Sequence, residues 1–218
     1  MPGGYRKVSD LPQIIPVFPL DGAVLLPGAQ LPLQIFEPRY LNMVDDAMRG
    51  ERIIGMIQTR DSATRDRPAL AGVGCAGRIT AYAETGDERY LITLTGVCRF
   101  AALEELRVST PYRQVRPDFA RFAGDLDAEE EACELDRAAF LDILRRYLAH
   151  KGLDVEWDAA RKAPAGALVN SLAIGLPLGR GEKQALLEAI TLTDRGRVLS
   201  ALLEIEAAGD DDEPPSVQ

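Results

Sequence analysis

The stretch IPVFPLDGAVLLPGAQLPLQIFEPRY, residues 15–40, is mostly apolar but contains five prolines. Proline lacks a backbone N–H donor, so it interrupts helices and is uncommon in central strands. We therefore expect two short strands, at edges or bulges, in IIPVFPL (14–20) and LPLQIF (31–36). Between them, DGAVLLPGA (21–29) is predicted to form a further strand and a turn.

The apolar spacing changes at the end of this stretch. One face of a helix is predicted from the residues Tyr40, Met43, Val44, Ala47 and Met48. Pro38 suits the first turn of this helix, and Gly50 suits its C-terminal end. The chain is therefore expected to pass from strand to helix near Pro38.

The six residues IFEPRY (35–40) place an acid, a base and an aromatic side chain together. Such a set fits a catalytic cluster, but a strand-to-helix joint explains it better. Glu37 takes the N-cap position, where its charge suits the positive end of the helix. Arg39 does not suit that end, so we expect it to pair with a carboxylate or with carbonyl groups. Glu37, Pro38 and Arg39 are thus predicted to lock the joint, and Tyr40 to begin the buried face.

Runs of strand type continue through the first half of the chain. RIIGMIQ (52–58) and PYRQVRPD (111–118) are each predicted to be a strand. GRITAYAE (77–84) and RYLITLTG (89–96) flank the turn sequence TGDE, which predicts a hairpin. Residues 59–71 are polar and lack periodicity, so we expect a loop there.

After Asp118 the apolar spacing becomes helical. Asp127 and Glu130 fit a capping box at the start of a helix. The apolar stripe of this helix consists of Phe140, Ile143, Leu144, Tyr147 and Leu148. His150 and Gly152 mark its C-terminal end.

Four later helices are predicted in EWDAARKA (156–163), ALVNSLAIGL (167–176), GEKQALLEAI (181–190) and DRGRVLSALLEIE (194–206). Asp194 is the expected N-cap of the last one.

These patterns predict an α+β fold in three parts. Residues 1–118 form a β-rich domain with one helix, and residues 119–206 form an all-α helical bundle. Residues 207–218 are acidic and proline-rich, which predicts a disordered tail.

The composition excludes several classes of protein. The net charge of −9 opposes phosphate backbones and anionic membranes, so neither nucleic acid nor a membrane is expected as a partner. The three cysteines form no C-x-x-C pair, which argues against a disulfide framework and a metal site. The sequence has no signal-peptide core and no apolar run of about 18 residues that would span a membrane. We expect a cytoplasmic protein that needs no metal and no cofactor.

Several features fit a chemical role less well than a structural one. GVGCAG (72–77) matches G-x-G-x-x-G but leads into a predicted strand, so its glycines indicate a bulge or a sheet corner. GLPLGRGEKQ (175–184) lacks the spacing of a phosphate loop, and Gln184 stands where Ser or Thr is needed. His150 is the only histidine and has no nucleophile motif beside it. Cys98 is interpreted as a buried structural thiol. No catalytic residue is predicted.

Three motifs of the first half form a specific pattern. They are P-x-F-P-L (16–20), P-G (27–28) and P-L-x-I-F-E-x-R-Y (32–40). This pattern resembles the N-terminal domain of the Lon family of ATP-dependent proteases. The later segments GCAGRI, LTGVCRF and EKQALLE are also similar, so that the likeness spans roughly residues 14–206.

The resemblance implies a small PUA-like β-barrel followed by a helix bundle, with a role in recognising substrate proteins. The ATPase domain and the Ser–Lys peptidase domain of full Lon proteases have no counterpart in this sequence. We therefore expect a stand-alone, non-catalytic protein that binds unfolded polypeptides or a specific protein partner.

The candidate binding residues are Phe36, Arg39, Tyr40, Arg99 and Phe100. They are expected near a groove between barrel and bundle, because ligands favour interfaces between domains. A purely structural role for all five stays open, since aromatic side chains are often core residues. Two other functions also stay open: an RNA-binding module, because PUA-like barrels elsewhere bind RNA, and a hydrolase with an unrecognised site. The sequence leaves the oligomeric state undecided.

Overall fold

The computed structural model describes residues 4–60, 67–127 and 133–208. Within them, one mixed sheet contains β1 (Ile15–Pro19), β2 (Gln30–Ile35), β3 (Ile53–Arg60), β4 (Ala69–Glu84), β5 (Tyr90–Glu105) and β6 (Arg113–Asp118). The helices are α1 (Pro38–Arg49), α2 (Arg137–Lys151), α3 (Trp157–Lys162), α4 (Ala165–Gly175), α5 (Arg180–Glu188) and α6 (Leu192–Ala208). Short 3-10 helices lie at Val8–Asp10 and Ala120–Leu126. This order confirms the predicted α+β class.

Five strands of the sheet close into a ring. β5 pairs with β4, β4 with β3, β3 with β1 and β1 with β6, and β6 returns to β5. The β1–β3 pair is parallel, and the others are antiparallel. β2 pairs with β5 beside this ring. The core side chains of the ring are fully buried and include Ile15, Ile54, Met56, Phe100 and Val115.

β1 lies inside the ring rather than at an edge, which corrects the expectation for residues 14–20. Its two prolines are tolerated because each has a paired strand on one side only. Pro16 lies opposite Gln114 of β6, and Pro19 lies opposite Ile57 of β3. The missing N–H of each proline can therefore point to the side without a ladder. β2, in contrast, is an edge strand as predicted.

Residues 21–29 form turns and irregular backbone, so the strand predicted there is wrong. Gly22 and Gly28 have φ values of 74° and 76°, which few residues other than glycine adopt readily. Val24, Leu25 and Leu26 between them are buried without strand pairing. Burial of these side chains, rather than a hydrogen-bond ladder, explains the apolar run.

The GVGCAG segment lies wholly within β4, which confirms its interpretation as part of the sheet. A register shift between Ala76 and Gly77 marks an irregularity of the bulge type in the β4–β5 pair. A Cβ atom at Gly74 would lie 2.6 Å from the Met56 carbonyl oxygen and 2.7 Å from the Phe100 ring. Glycine is thus required here for close packing, not for a phosphate.

The predicted helix after the joint is confirmed as α1. Glu37 is its N-cap residue with extended backbone, and Gly50 is its C-cap. The predicted apolar face is buried at Tyr40, Met43, Val44 and Ala47, whereas Met48 is half-buried.

The other predicted strands and the hairpin are also present; β3, β4 and β5 are longer than expected, whereas β6 is two residues shorter than the predicted strand 111–118. β3 extends to Arg60 and β4 begins at Ala69, so only part of the expected loop 59–71 is left between strands. Of that part, residues 61–66 lie outside the described residues.

Two helix starts differ from the sequence prediction. α2 begins at Arg137, because the Asp136 carboxylate accepts from the backbone N–H groups of Ala138 and Ala139. Asp127 instead ends the 3-10 helix before it, and Glu130 lies outside the described residues.

At the start of α6, a reciprocal pair of hydrogen bonds forms a capping box. The Asp194 N–H donates to Thr191 Oγ1 at 3.0 Å, and the Thr191 N–H donates to Asp194 Oδ2 at 3.4 Å. The Thr191 hydroxyl also donates to Asp194 Oδ2 at 2.7 Å. Thr191 is thus the cap, and Asp194, the predicted cap, is its partner in the first turn. The hydrogen bond from the Thr191 hydroxyl lowers the pKa of Asp194, because it stabilises the charged carboxylate.

The chain divides into two compact units. The first contains residues 1–129 and 177–188, so α5 belongs with the strands. The second contains residues 130–176 and 189–218, with the other late helices. The domain limits expected from sequence, 1–118 and 119–206, stay a prediction; residues 209–218 of the expected tail lie outside the described residues. Among the described residues, no helix is long and apolar enough to cross a membrane.

Candidate functional site

Arg99, one of the candidate binding residues, lies in the interior of the first unit. Its side chain is 2 % exposed and pairs with Asp125, which is 8 % exposed. Nε and Nη2 of Arg99 donate to the two carboxylate oxygens of Asp125 at 2.9 and 2.8 Å. Nη1 donates to the Leu187 carbonyl oxygen at 3.1 Å. In this arrangement Arg99 joins β5 to the following 3-10 helix and to α5.

Phe100 is fully buried as well. Its ring packs against Phe119 with centroids 6.1 Å apart and fills the space beside Gly55 and Gly74. Arg99 and Phe100 therefore have structural contacts in this conformation, and the role of these two residues in binding stays an untested prediction.

Phe36 is placed differently, at the surface directly after β2. Its side chain is 62 % exposed, and the Arg89 guanidinium lies 6.0 Å from its ring centroid. Leu91 of β5, a neighbour of β2, is 46 % exposed. Large apolar side chains at the surface are common, so Phe36 alone does not define a site.

Glu37 and Arg39 form an ion pair within the joint. Arg39 Nη2 lies 2.7 Å from Glu37 Oε2, and Arg39 Nε donates to the same oxygen at 2.9 Å. The Arg39 side chain is 53 % exposed and the Glu37 side chain is 43 % exposed. The Arg39 guanidinium also lies 4.5 Å from the centroid of the Tyr40 ring. Tyr40 in turn contacts Phe18 edge to face, with centroids 4.4 Å apart.

Arg39 and Tyr40 line a cleft of about 500 Å³ within the first unit. The cleft is lined by Pro19, Arg39, Tyr40, Thr59, Arg67, Pro68, Val108, Thr110, Pro111, Tyr112 and Arg113. These residues come from the start of α1, the ends of β1 and β3, the approach to β4, the turn before β6 and the first residue of β6. The volume is in the range of protein sites that bind small ligands or peptide side chains.

Two arginines of the cleft share one carboxylate. Glu105 of β5 accepts from Arg113 Nε at 2.9 Å and from Arg113 Nη2, and Arg67 donates to it as well. Arg113 Nη1 also donates to the Pro68 carbonyl oxygen at 2.8 Å. Partial burial raises the pKa of Glu105, but the hydrogen bonds and charges of Arg113 and Arg67 outweigh burial and leave the pKa below its ordinary value.

Two tyrosines of the cleft differ in their hydrogen bonds. The Tyr112 hydroxyl donates to Asp46 of α1 at 2.8 Å, and burial together with this contact raises the pKa of Tyr112 to about 12. The Tyr40 hydroxyl has no hydrogen-bond partner among the described residues, although Tyr40 is only 7 % exposed. Burial raises the pKa of Tyr40. The charge of Arg39 acts against this rise, the charge of Glu37 adds to it, and the charge of Arg113 opposes it. The Tyr40 hydroxyl therefore lies within electrostatic range of Glu37 as well as of both arginines.

Of the residues that line the cleft, the sequence predicted Arg39 and Tyr40 as binding candidates but not Arg67, Tyr112 and Arg113, and a role in binding stays an untested prediction for all five. Arg67 belongs to a stretch read only as a polar loop, and Tyr112 and Arg113 to a predicted strand. All three side chains are hydrogen-bond donors close to a proline in the sequence, Pro68 or Pro111. This local feature does not predict a cleft, because only the pairing of distant strands brings the three residues together.

The side chains that were weighed for chemistry occupy structural positions. Cys75 and Cys98 are buried, and burial raises the pKa of Cys98 to about 12 and that of Cys75 well above its ordinary value. Both are therefore thiols at neutral pH rather than reactive thiolates. His150 lies in the last turn of α2, as predicted. Among the described residues, no group of His, Cys, Asp and Glu side chains is arranged to hold a metal ion.

A sequence profile for the ATP-dependent protease La (LON) substrate-binding domain matches residues 14–204. Individual relatives are Lon protease 2 of Myxococcus xanthus, which is 27 % identical over 93 % of this chain, and Lon protease of Roseiflexus castenholzii, which is 28 % identical over 90 %. The alignments cover 25 % of each of these proteins, so the chain spans about a quarter of the length of these relatives.

Solved structures show the same fold. The Lon N-terminal domain protein of Xanthomonas campestris superimposes with a TM-score of 0.62 over 86 % of this chain and 97 % of that one, at 24 % identity. The N-terminal domain of Lon protease from the Mycobacterium avium complex gives a TM-score of 0.59 over 91 % and 99 %, at 18 % identity.

Proposed function

Because the chain belongs to the ATP-dependent protease La (LON) substrate-binding domain family, we propose that it binds unfolded segments of polypeptide and does not hydrolyse them. The observation that carries the proposal is the cleft, which combines apolar walls with arginine and tyrosine donors. An extended peptide offers both kinds of partner: apolar side chains, and carbonyl or carboxylate oxygens that accept from guanidinium groups.

Phe36 supplies a second contact near the same joint. It precedes Glu37 and Arg39 in the chain and is 62 % exposed. An exposed aromatic ring contributes a large apolar area to binding at a small loss of side-chain entropy, which is why aromatic residues are frequent binding hot spots.

Two observations support binding without hydrolysis. The matching family is a substrate-binding domain, and the buried thiols of Cys75 and Cys98 are protonated at neutral pH. The net charge of −9 also disfavours RNA as the main ligand.

Binding is tested with a fluorescently labelled polypeptide that is kept unfolded by chemical modification of its cysteines. Fluorescence anisotropy measures its binding to the wild-type protein, and the native form of the same polypeptide serves as competitor. We expect saturable binding of the unfolded form and little competition by the native form.

The variant Phe36→Ser should weaken this binding, whereas Ile205→Ser, which removes an apolar side chain that is 68 % exposed on α6, should not. Equal affinities of both variants would remove Phe36 from the site, and no binding of any unfolded polypeptide would refute the proposed function.

Hydrolysis and RNA binding are tested separately. Casein incubated with the protein, with and without ATP, should stay intact on a gel. Cleavage that a single point mutation abolishes would make the protein an enzyme. Retention of RNA on a filter at low salt, with an affinity above that for unfolded polypeptide, would favour the RNA-binding alternative.

A further inference from the structure

We infer that the cleft recognises a carboxylate of the bound polypeptide, held next to an apolar residue. This inference rests on the proposed function and specifies the chemistry of its ligand. The carboxylate can belong to the C-terminus of the polypeptide or to an aspartate or glutamate side chain, since both offer the same two oxygens.

The charged side chains that line the cleft are all positive. The charged side chains that line the cleft are Arg39, Arg67 and Arg113, and none of the described lining residues is acidic. Glu105 compensates one charge of the pair Arg67 and Arg113, and Glu37 compensates Arg39. The five side chains together therefore carry one net positive charge, in a protein whose net charge is −9.

The arginines keep donors for a further partner. A guanidinium has five N–H groups. Arg39 bonds Glu37 through Nε and Nη2, and Arg67 bonds Glu105 through Nη2. Nη1 of Arg39, and Nε and Nη1 of Arg67, make no hydrogen bond with the described residues. Two planar forks are thus available, and their geometry suits a carboxylate.

The Tyr40 hydroxyl provides a further donor. Tyr40 is 7 % exposed, lines the cleft and has no hydrogen-bond partner among the described residues. A ligand oxygen in the cleft beside the Arg39 guanidinium, which lies 4.5 Å from the Tyr40 ring centroid, would accept from this hydroxyl.

The apolar part of the lining explains why the carboxylate should have an apolar neighbour. Val108 is 40 % exposed, and Pro19, Pro68 and Pro111 complete this side of the cleft. Prolines are rigid and have no backbone donor, so they offer apolar contact without competing for the carboxylate.

Three labelled peptides with the same apolar sequence test the inference. The first ends in a free carboxylate and has no acidic side chain; the second is amidated and contains one glutamate; the third is amidated and has no acid. Anisotropy titrations should give an affinity for the first or the second that exceeds that for the third by about tenfold, the usual effect of a charge-assisted hydrogen bond. The stronger of the two acid-bearing peptides identifies the source of the carboxylate.

Matched arginine variants test the place of binding. Arg39→Ala and Arg67→Ala should each reduce the preference for an acid-bearing peptide. Arg145→Ala is the control, because Arg145 is 55 % exposed, pairs with Asp142 and lies 5.2 Å from the Trp157 ring, much as Arg39 pairs with Glu37 and lies against Tyr40. Thermal melts verify that the variants are folded, and added salt should lower the preference of the wild-type protein without any mutation.

The outcomes separate the two proposals. If all peptides bind equally well, or if the arginine variants retain the preference, the carboxylate inference is wrong and the proposed function stands. If neither the peptides nor an unfolded polypeptide binds, the proposed function fails and this inference fails with it.

Discussion

At the scale of single residues, the Arg99–Asp125 pair has the largest expected effect on stability. Both side chains are nearly inaccessible, and Asp125 accepts from the backbone N–H as well as the guanidinium of Arg99. Removing one member of a buried pair leaves an uncompensated charge, which costs about 3–5 kcal/mol. We expect Asp125→Ala to lower the free energy of unfolding in urea by that amount. The control Glu104→Ala breaks an exposed pair with Arg116 and should cost less than about 1 kcal/mol. Similar losses in both variants would contradict a special role of the buried pair.

Two glycines of β4 allow a matched test of close packing. A methyl group at Gly74 would meet the Met56 carbonyl and the Phe100 ring, whereas one at Gly72 would meet nothing within 4 Å. Gly74→Ala should therefore destabilise the protein by about 1–3 kcal/mol, as overpacking of a core does. Gly72→Ala should be neutral or slightly stabilising, since it reduces the freedom of the unfolded chain. Equal melting temperatures of the two variants would show that β3 and β5 can move apart to accept a methyl group at Gly74, and would contradict the requirement for glycine there.

Glu105 gives the fold a predictable response to acid. Its pKa is lower in the folded protein than its ordinary value of 4.5. A depressed carboxyl pKa stabilises the fold above the unfolded pKa, and the stabilisation is lost as the pH falls through the folded pKa. The stability of the wild type should therefore exceed that of Glu105→Gln near neutral pH. The difference should shrink below pH 4.5 in urea titrations. A difference that stays constant with pH would assign the effect of the variant to packing.

At the scale of elements, the start of α1 shows what the Glu37–Arg39 pair contributes. The two side chains are about half exposed, and exposed ion pairs stabilise proteins by about 0–1 kcal/mol. We expect Glu37→Ala to lower the free energy of unfolding by less than about 1 kcal/mol, because Pro38 and the buried face of α1 remain. A larger loss would support the predicted lock of the joint. If the loss of stability is small, variants that break the Glu37–Arg39 pair remain folded, and Arg39→Ala can be used in the binding experiments.

Elements with a regular apolar period were predictable from the sequence, and elements defined by distant contacts were not. The spacing of Tyr40, Met43 and Val44 defines α1 because a helix face repeats locally. Residues 21–29 have an equally apolar composition, but their burial depends on distant strands, since Leu25 lies against Gly77 of β4 and Leu26 against Gly96 of β5. The cleft is a stronger example, since Arg39, Arg67 and Arg113 meet only after β5 and β6 pair. Local patterns contain no information on such pairings.

At the scale of the whole molecule, the position of α5 in the chain does not match its position in the fold. It lies late in the chain, among the helices, but is part of the first unit. Gln58 of β3 donates to the carbonyl of Arg180 and to the side chain of Gln184, both at 3.0 Å. Gln184 also donates to the Val73 carbonyl of β4 at 3.1 Å. These bonds satisfy buried polar groups that would otherwise lack partners.

A fragment that ends at residue 118, the domain limit expected from sequence, tests this organisation. It lacks α5, Asp125 and the Leu187 carbonyl, so the Gln58 amide nitrogen and the Arg99 guanidinium would lose these hydrogen-bond partners, while the Gln58 amide oxygen would still accept from the Gly22 N–H. Because each unsatisfied buried polar group costs about 1–3 kcal/mol and a charged one costs more, we expect the fragment to be unfolded or to lose its cooperative transition. Circular dichroism and urea unfolding measure this against the full chain. In the full chain, Gln184→Ala should cost a smaller amount, since it removes only part of the network. A fragment 1–118 that unfolds cooperatively with the stability of the full chain would establish the sequence-based limit and reduce α5 to a peripheral element.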